Sequence, residues 1–118
     1  MNIELEYLEL KTFTEQNASD YCQLNNLNPL NILKFNLSIN KLTDISGVKL
    51  FKNLKYLYIG YNENYLKDIS AVQYLKKLEY LNLCSNELTD IDILKKLNNL
   101  KILHLNNNKL TDISILKK

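Results

Sequence analysis

The chain has 118 residues, of which 46% are hydrophobic and 24% charged, and its formal net charge is +2 at pH 7. This length and composition are those of one globular domain. All 15 basic residues are lysines. The small net charge and the absence of Arg argue against a nucleic-acid-binding protein, because such proteins concentrate basic residues on one face and read phosphates and guanines with Arg.

The two cysteines, Cys22 and Cys84, are isolated in the sequence. Their spacing favours neither a structural zinc site nor a disulfide framework, and it indicates a reducing compartment. No apolar run approaches the roughly 18 residues that span a bilayer, and the N-terminus lacks the pattern of a signal peptide. The sequence therefore predicts a cytoplasmic protein without a membrane span.

The first 31 residues predict a degenerate capping repeat at the N-terminus of a single domain, 1–118. Alternating apolar residues at Ile3, Leu5 and Tyr7 predict an edge strand, with Glu4 and Glu6 guarding its open face. Terminal repeats are expected to be atypical, because one side of them faces water. Shifting the later repeat back by 24 residues predicts core positions at Leu8, Phe13, Ala18, Tyr21, Leu24 and Leu27.

Residues 32–118 predict four regular repeats, the last of which ends without an obvious cap and leaves the C-terminal coil open. The copies are "ILKFNLSINKLTDI", "LKYLYIGYNENYLKDI", "LEYLNLCSNELTDI" and "LKILHLNNNKLTDI". They align on Asn40, Asn62, Asn86 and Asn108, which are 22, 24 and 22 residues apart. The longer step comes from two extra residues in "NENYL", so the period is otherwise constant. A constant period of this length is typical of a solenoid.

Each copy begins with two-residue alternation, as in Leu81 and Leu83, and continues with apolar residues at every third position. The first pattern predicts a short strand with one buried face, and the second a 3₁₀ turn or short helix. One copy cannot bury its leucines alone. Stacked copies can, and each buried Leu contributes about 1.5 to 3 kcal/mol.

These copies resemble the leucine-rich repeat, LxxLxLxxNxL, in its short 22-residue class, as found in bacterial internalins and in a eukaryotic protein phosphatase regulatory subunit. The resemblance implies an α/β, right-handed solenoid with parallel strands on a concave face and 3₁₀ or short helical turns on the convex face. It also implies a non-enzymatic scaffold for protein binding that needs no cofactor.

The recurrent polar residues predict structural roles. The aligned asparagines carry both donors and an acceptor, which can bridge adjacent coils where the backbone turns inside the stack. Asp44, Asp68, Asp90 and Asp112 each precede a predicted turn, where they can accept backbone N–H groups as N-caps. A calcium ladder is the weaker interpretation, because these carboxylates occur once per coil rather than as a cluster.

The residues between the buried strand leucines predict the binding surface. Three of them, Tyr56, Tyr58 and Tyr80, fall on neighbouring strands about 4.8 Å apart and should form one patch. Tyrosine is enriched at binding hot spots. The alternative is that a Tyr-rich chain simply places tyrosines wherever water is near. The predicted partner-binding residues are Tyr56, Tyr58, Tyr80, Tyr61, Asn82, His104, Lys34 and Asn36.

Three neighbours complete this prediction. The same alternation places Ser38, Gly60 and Cys84 outward, so that Gly60 would leave a shallow depression and Cys84 would be a small surface thiol. The "NENYL" insertion should bulge from the rim. His104, the only histidine, has no acidic partner or nucleophile beside it, which favours a contact residue over a general base. No residues predict a catalytic or metal site.

On the opposite side the lysines around the "LKKL" segments are predicted to solvate the outer turns; weak contact with an acidic partner or a membrane surface is the alternative. They are Lys49, Lys52, Lys76, Lys77, Lys95, Lys96, Lys117 and Lys118. The predicted function is protein or peptide binding on the concave face. The alternative is an assembly unit that self-associates through its C-terminal coil, or a fragment of a larger leucine-rich repeat protein.

Overall fold

A computed structural model describes residues 2–5, 10–62 and 65–110. Its centre is a sheet of five parallel strands that lie side by side in chain order. The strands are β1 (Asn2–Glu4), β2 (Lys34–Asn36), β3 (Tyr56–Tyr58), β4 (Tyr80–Asn82) and β5 (Ile102–His104). The predicted α/β solenoid is therefore confirmed, with one coil of the backbone for each strand.

The register of the strands aligns the leucines into a buried column. Phe35 pairs with Leu57, Leu57 with Leu81, and Leu81 with Leu103. Leu57 and Leu81 have no exposed surface, and the residues on either side of them in β3 and β4 are at least partly exposed. The predicted alternation of buried and outward residues thus holds within each three-residue strand.

Short 3₁₀ helices return the chain on the opposite side. They span Pro29–Asn31, Ser46–Leu50, Ser70–Tyr74 and Asp92–Lys96. The recurrent aspartates precede the last three of these, and each Oδ1 accepts the backbone N–H two residues on, at 2.8 Å, as Asp68 does from Ser70. The aspartates therefore accept backbone N–H groups as predicted, but they do not occupy the N-cap position. The N-cap residue of each of these helices is the isoleucine that follows the aspartate. Asp112 lies outside the described residues.

The hydrogen bonds from Ser70 have an electrostatic consequence. The backbone N–H donates to the carboxylate of Asp68, and a side-chain hydrogen bond from Ser70 adds to it, so that together they lower the pKa of this aspartate. Hydrogen bonds to the ionised form of a carboxyl group favour that form. Asp68 therefore stays ionised while it closes the turn.

The aligned asparagines form a second buried column. The Nδ2 group of Asn86 donates to the Ile59 carbonyl in the coil before it at 2.9 Å and to the Leu83 carbonyl of its own coil at 3.0 Å. Asn108 repeats this arrangement with Leu83 and Leu105. These amides therefore bridge adjacent coils by bonding to backbone carbonyls, as predicted; Asn86 is fully buried and Asn108 partly so.

The N-terminal segment contains a longer helix than the later coils do. An α-helix, α1 (Glu15–Leu24), lies where the later coils have a five-residue 3₁₀ helix. Thr14 begins it with a capping box: its side chain accepts the Asn17 N–H at 3.1 Å, and the Asn17 side chain accepts the Thr14 N–H at 2.9 Å. Such reciprocal caps stabilise a helix start.

Helix α1 packs on the first five-residue 3₁₀ helix. Lys49 in that 3₁₀ helix forms an ion pair with Glu15 at 2.8 Å, so this lysine is bound rather than simply solvated. Ala18 is buried as predicted, but Leu24 is 86% exposed, so its predicted core position is wrong. Of the other predicted core positions, Phe13 is buried, and Tyr21 and Leu27 are partly buried. Leu8 lies outside the described residues.

Three phenylalanines join this N-terminal segment to the stack. The Phe35 ring lies 5.0 Å from the rings of both Phe13 and Phe51, edge to face in each case. This geometry suits the quadrupoles of aromatic rings. The interpretation of residues 1–31 as a capping repeat stays a prediction. The open C-terminal coil also stays a prediction, because residues 111–118, with Leu116, Lys117 and Lys118, lie outside the described part of the chain.

Candidate binding surface

The outward residues of β2 to β5 form two rows across the sheet, which together are called the strand face. One row contains Lys34, Tyr56, Tyr80 and Ile102. The other contains Asn36, Tyr58, Asn82 and His104. Seven of the eight predicted partner-binding residues therefore lie on one surface, and the eighth, Tyr61, lies in the turn just beyond β3.

Aromatic rings stack diagonally across the strand face. The Tyr58 and Tyr80 ring centroids are 4.9 Å apart, and the Tyr80 and His104 centroids are 5.5 Å apart. At the other end, Lys34 Nζ lies 5.3 Å from the centre of the Tyr58 ring. These four residues, called the ring ladder, connect four successive strands through cation–π and aromatic contacts.

Two predicted tyrosines flank the ring ladder. Tyr56 is 40% exposed and Tyr61 is 52% exposed. Neither makes a ring contact with another described residue, although Tyr56 pairs in register with Lys34 on one side and Tyr80 on the other. The segment "NENYL" also contains Tyr65, which is exposed. Glu63 and Asn64 lie outside the described residues, so the predicted bulge stays a prediction.

The two asparagines of the strand face have a fixed orientation. Asn36 Oδ1 accepts the Ser38 N–H at 2.9 Å, and Asn82 Oδ1 accepts the Cys84 N–H at 3.0 Å. Because a backbone N–H can only donate, the oxygen of each amide must face the backbone. The NH₂ groups are left as donors without a partner among the described residues. Sequence reasoning found these asparagines but not their polarity.

Three residues predicted to face outward, Ser38, Gly60 and Cys84, are buried instead. Ser38 is 8% exposed, and its hydroxyl oxygen accepts the Gly60 N–H at 3.2 Å. Cys84 is 4% exposed, and its thiol donates to Asn106 Oδ1 at 2.9 Å. The prediction was wrong because each strand ends after three residues, so the alternation does not continue to these positions.

The predicted depression at Gly60 is also wrong. A Cβ atom placed on this residue would lie 3.1 Å from Asn82 Oδ1 and 3.2 Å from the Cys84 carbonyl oxygen. The glycine therefore permits a close approach of the next coil rather than leaving a gap.

A flanking row of residues immediately before the strands adds charge beside the strand face. Sequence reasoning missed it, although the repeat register places it one position before each strand. Lys101 pairs with Glu79 at 3.5 Å, whereas Lys55 makes no ion pair with any described residue. The row contains Leu33, Lys55, Glu79 and Lys101.

The described residues also bear on metal binding and thiol reactivity. Among residues 2–5, 10–62 and 65–110, no three His, Cys, Asp or Glu side chains lie close enough together to hold a metal ion. Burial raises the pKa of the Cys22 thiol, which disfavours the reactive thiolate. Within the same described residues, no helix has the length and apolar character needed to cross a bilayer.

Comparison with known proteins identifies the repeat. The family model described as leucine-rich repeats (two copies) matches residues 76–118. An internalin (inlF) from Listeria monocytogenes has a similar structure, with a TM-score of 0.80 and 27% identity over 98% of this chain and 30% of its own. Internalin C2 from the same species gives a TM-score of 0.65 and 32% identity, over 78% of this chain and 42% of its own.

This chain therefore spans less than half the length of either internalin. No curated protein sequence matches it significantly. The motif, the parallel ladder of strands and the two structural similarities agree with one another. The chain is a leucine-rich repeat protein whose repeats resemble those of bacterial internalins.

Proposed function

We propose that this chain is a non-catalytic protein-interaction module that binds a protein partner on its strand face. The contacts would come from Tyr56, Tyr58 and Tyr80 at the centre, with Tyr61, Asn82, His104, Lys34 and Asn36 around them. The observation that carries this proposal is the ring ladder, in which the rings of Tyr58, Tyr80 and His104 stack across three successive strands and Lys34 of the fourth lies over Tyr58.

The ring ladder is suited to binding because it is already ordered. Tyr58 and Tyr80 stand on strands whose central leucines, Leu57 and Leu81, have no exposed surface, and each ring rests against its neighbour. A partner would therefore spend little free energy on immobilising these side chains. Tyrosine also combines a large apolar ring with a polar hydroxyl group, the combination enriched at hot spots.

The family supports the same surface. Solenoid proteins use the extended faces created by their stacked repeats to bind partners. The two internalins share the fold, but this chain corresponds to only 30% and 42% of their lengths, so their own partners do not transfer to it.

The test is affinity capture from the native lysate with the intact chain and with a Tyr56→Ala/Tyr58→Ala variant. Because hot-spot residues contribute about 2 kcal/mol or more, we expect the variant to bind the captured protein at least about 30-fold more weakly. Titration of that protein, once identified, against both chains measures the difference.

Tyr74→Ala is the matched control, because Tyr74 is 54% exposed but lies in a 3₁₀ helix on the opposite side of the stack. It should retain binding. Thermal unfolding followed by circular dichroism shows whether each variant is folded. Equal binding by the intact chain and a folded Tyr56→Ala/Tyr58→Ala variant would contradict the proposal.

A further inference from the structure

We infer that the strand face recognises an acidic segment of its protein partner, one whose carboxylates face Lys34, Asn36 and Asn82. This inference rests on the proposed function and adds the chemical class of the partner. It comes from the distribution of charge and of unused hydrogen-bond donors on the strand face.

The first observation is the absence of carboxylates from the strand face. None of its eight residues is acidic, whereas Lys34 supplies an ammonium group that makes no ion pair with any described residue. Of the outward residues on the five strands, only Glu4 carries a carboxylate. It lies on β1 at the edge of the sheet and pairs in register with Asn36, so Asn82, two strands further on, is the amide more distant from it. The strand face itself is therefore neutral to positive.

The flanking row adds to the same field. It holds two lysines and one glutamate, and the glutamate is paired with Lys101. Lys55 is exposed and unpaired among the described residues. A surface with an excess of one charge attracts and orients a partner of the opposite charge.

The second observation is the polarity of the amides. Asn36 and Asn82 turn their oxygens to the backbone, so that only NH₂ groups remain to meet a partner. These donors and the Lys34 ammonium group call for acceptors, and a carboxylate is the side-chain group that only accepts when ionised. A basic partner would bury these donors without acceptors and would place its own charges against Lys34.

The rings determine how such a segment would lie. Tyr58 occupies the position between Asn36 and Asn82 in the same row, at one residue per strand. A chain that crosses the strands could therefore place an apolar side chain on Tyr58 and carboxylates at the amides on either side of it. Binding would use both the apolar and the donor character of the face.

The test begins with selection from a display library of random dodecapeptides on the intact chain. The peptides retained are those that bind the intact chain but not the Tyr56→Ala/Tyr58→Ala variant. We expect Asp and Glu to be enriched in them relative to the starting library, and the affinity of a synthetic copy to fall as NaCl is raised.

Asn82→Asp is the decisive variant, because its remaining oxygen can still accept the Cys84 N–H while the NH₂ donor is replaced by a second acceptor. We expect it to weaken binding of the acidic peptide by about tenfold or more, as measured by calorimetric titration. Asn98→Asp makes the same change of charge at an exposed residue in the turn before β5 and should bind as the intact chain does.

The outcomes separate this inference from the proposed function. Peptides that depend on the tyrosines but show no acidic enrichment, or that bind the Asn82→Asp variant undiminished, would overturn the inference and leave the proposed function in place. A selection that yields no tyrosine-dependent peptide would contradict both.

Discussion

Individual residues in this solenoid are held in a conformation that their side chains do not favour. The residue before each asparagine of the column has a positive φ angle, which is 58° for Ile39, 58° for Tyr61, 57° for Ser85 and 61° for Asn107. The left-handed region costs most residues about 1–2 kcal/mol, and Asn tolerates it best. Only Asn107 therefore matches its position, and the stack imposes the conformation on the others.

Hydrogen bonds to the next coil hold this conformation in place. The Tyr61 N–H donates to the Cys84 carbonyl at 2.8 Å, and the Ile39 N–H donates to the Gly60 carbonyl at 2.9 Å. Tyr61 adopts this unfavourable conformation although its ring is half exposed. Packing of the side chain therefore does not explain why a tyrosine occupies this position. A role in binding would explain it, since strained residues persist where function requires them.

Tyr61→Asn should therefore stabilise the fold and weaken binding together. Asparagine relieves the unfavourable φ angle, so we expect the free energy of unfolding to rise by about 0.5 to 1 kcal/mol, measured by chemical denaturation. Loss of the exposed ring should lower the affinity for the partner protein captured by the intact chain.

The reverse change, Asn107→Tyr, is the control for stability, because it places the disfavoured residue at the corresponding position of a coil that has the favoured one. It should lower the free energy of unfolding by a similar amount. A Tyr61→Asn variant with unchanged stability would show that the left-handed conformation carries no cost here.

At the level of elements, the position of helix α1 depends on one glycine. Gly47 lies in the 3₁₀ helix beneath α1, and its N–H donates to the Phe13 carbonyl at 2.7 Å. A Cβ atom on Gly47 would lie 2.3 Å from the Thr14 carbonyl oxygen, which is part of the backbone and cannot simply turn aside. The corresponding residue of the next coil is Ala71, which has no α-helix above it.

Gly47→Ala should therefore separate α1 from the stack. We expect the free energy of unfolding to fall by about 1 to 3 kcal/mol, as is usual when a methyl group is forced into a packed site. Faster proteolysis within α1 should accompany the loss, because the strain falls on the segment that begins the helix.

Ser46→Ala provides the control for this variant. It changes the adjacent residue of the same 3₁₀ helix without adding an atom near Thr14, and it should change stability by no more than about 0.5 kcal/mol. If Gly47→Ala left both stability and proteolysis unchanged, the close packing of α1 would not be a constraint on the fold.

The elements that sequence analysis predicted are those fixed by the repeat. The 22-residue period places Phe35 beside Leu57 and Leu81 beside Leu103. The 24-residue step from Leu57 to Leu81 keeps the same order of buried and outward residues, so the sheet and both columns follow from the repeat. Helix α1 could not be predicted in this way, because its segment does not follow the period and its position depends on contact with Gly47.

The candidate surface was predictable in part for the same reason. Tyr58, Tyr80 and His104 follow from the alternation within a strand, which the register preserves. Cys84 was misplaced because alternation says nothing about where a strand ends. The polarity of Asn82 depends on a hydrogen bond to the Cys84 N–H, and no pattern of residue types specifies which end of an amide is used.

For the molecule as a whole, stability depends on how evenly the coils repeat, and one coil is irregular. In the regular coils, the Oδ1 atom of the column asparagine accepts a backbone N–H from the coil before it, as Asn62 does from Leu42 and Asn108 from Leu88. Asn86 Oδ1 is buried and has no hydrogen-bond partner among the described residues. The corresponding donor would be Leu66, which follows the two-residue insertion.

The insertion therefore accounts for the missing bond. Glu63 and Asn64 separate Asn62 from Leu66 by two residues more than the regular spacing, and the N–H of Leu66 does not reach the asparagine. A buried acceptor without a donor costs about 1–3 kcal/mol. Because each coil of a solenoid contacts only its neighbours, this cost is confined to one interface but lowers the stability of the whole stack.

Deletion of Glu63 and Asn64 should restore the 22-residue spacing and supply the missing donor. We expect the free energy of unfolding to rise by about 1 to 3 kcal/mol in chemical denaturation, with an unchanged denaturant dependence, since the surface buried in the core stays the same. Insertion of Glu-Asn after Asn86 in the intact chain creates the same irregularity at an interface that is now regular. It should lower the free energy of unfolding by a similar amount, because Asn108 would then lose its hydrogen bond from the Leu88 N–H. If the deletion destabilised the protein while the insertion was tolerated, the spacing between asparagines would not be what limits the stability of the stack.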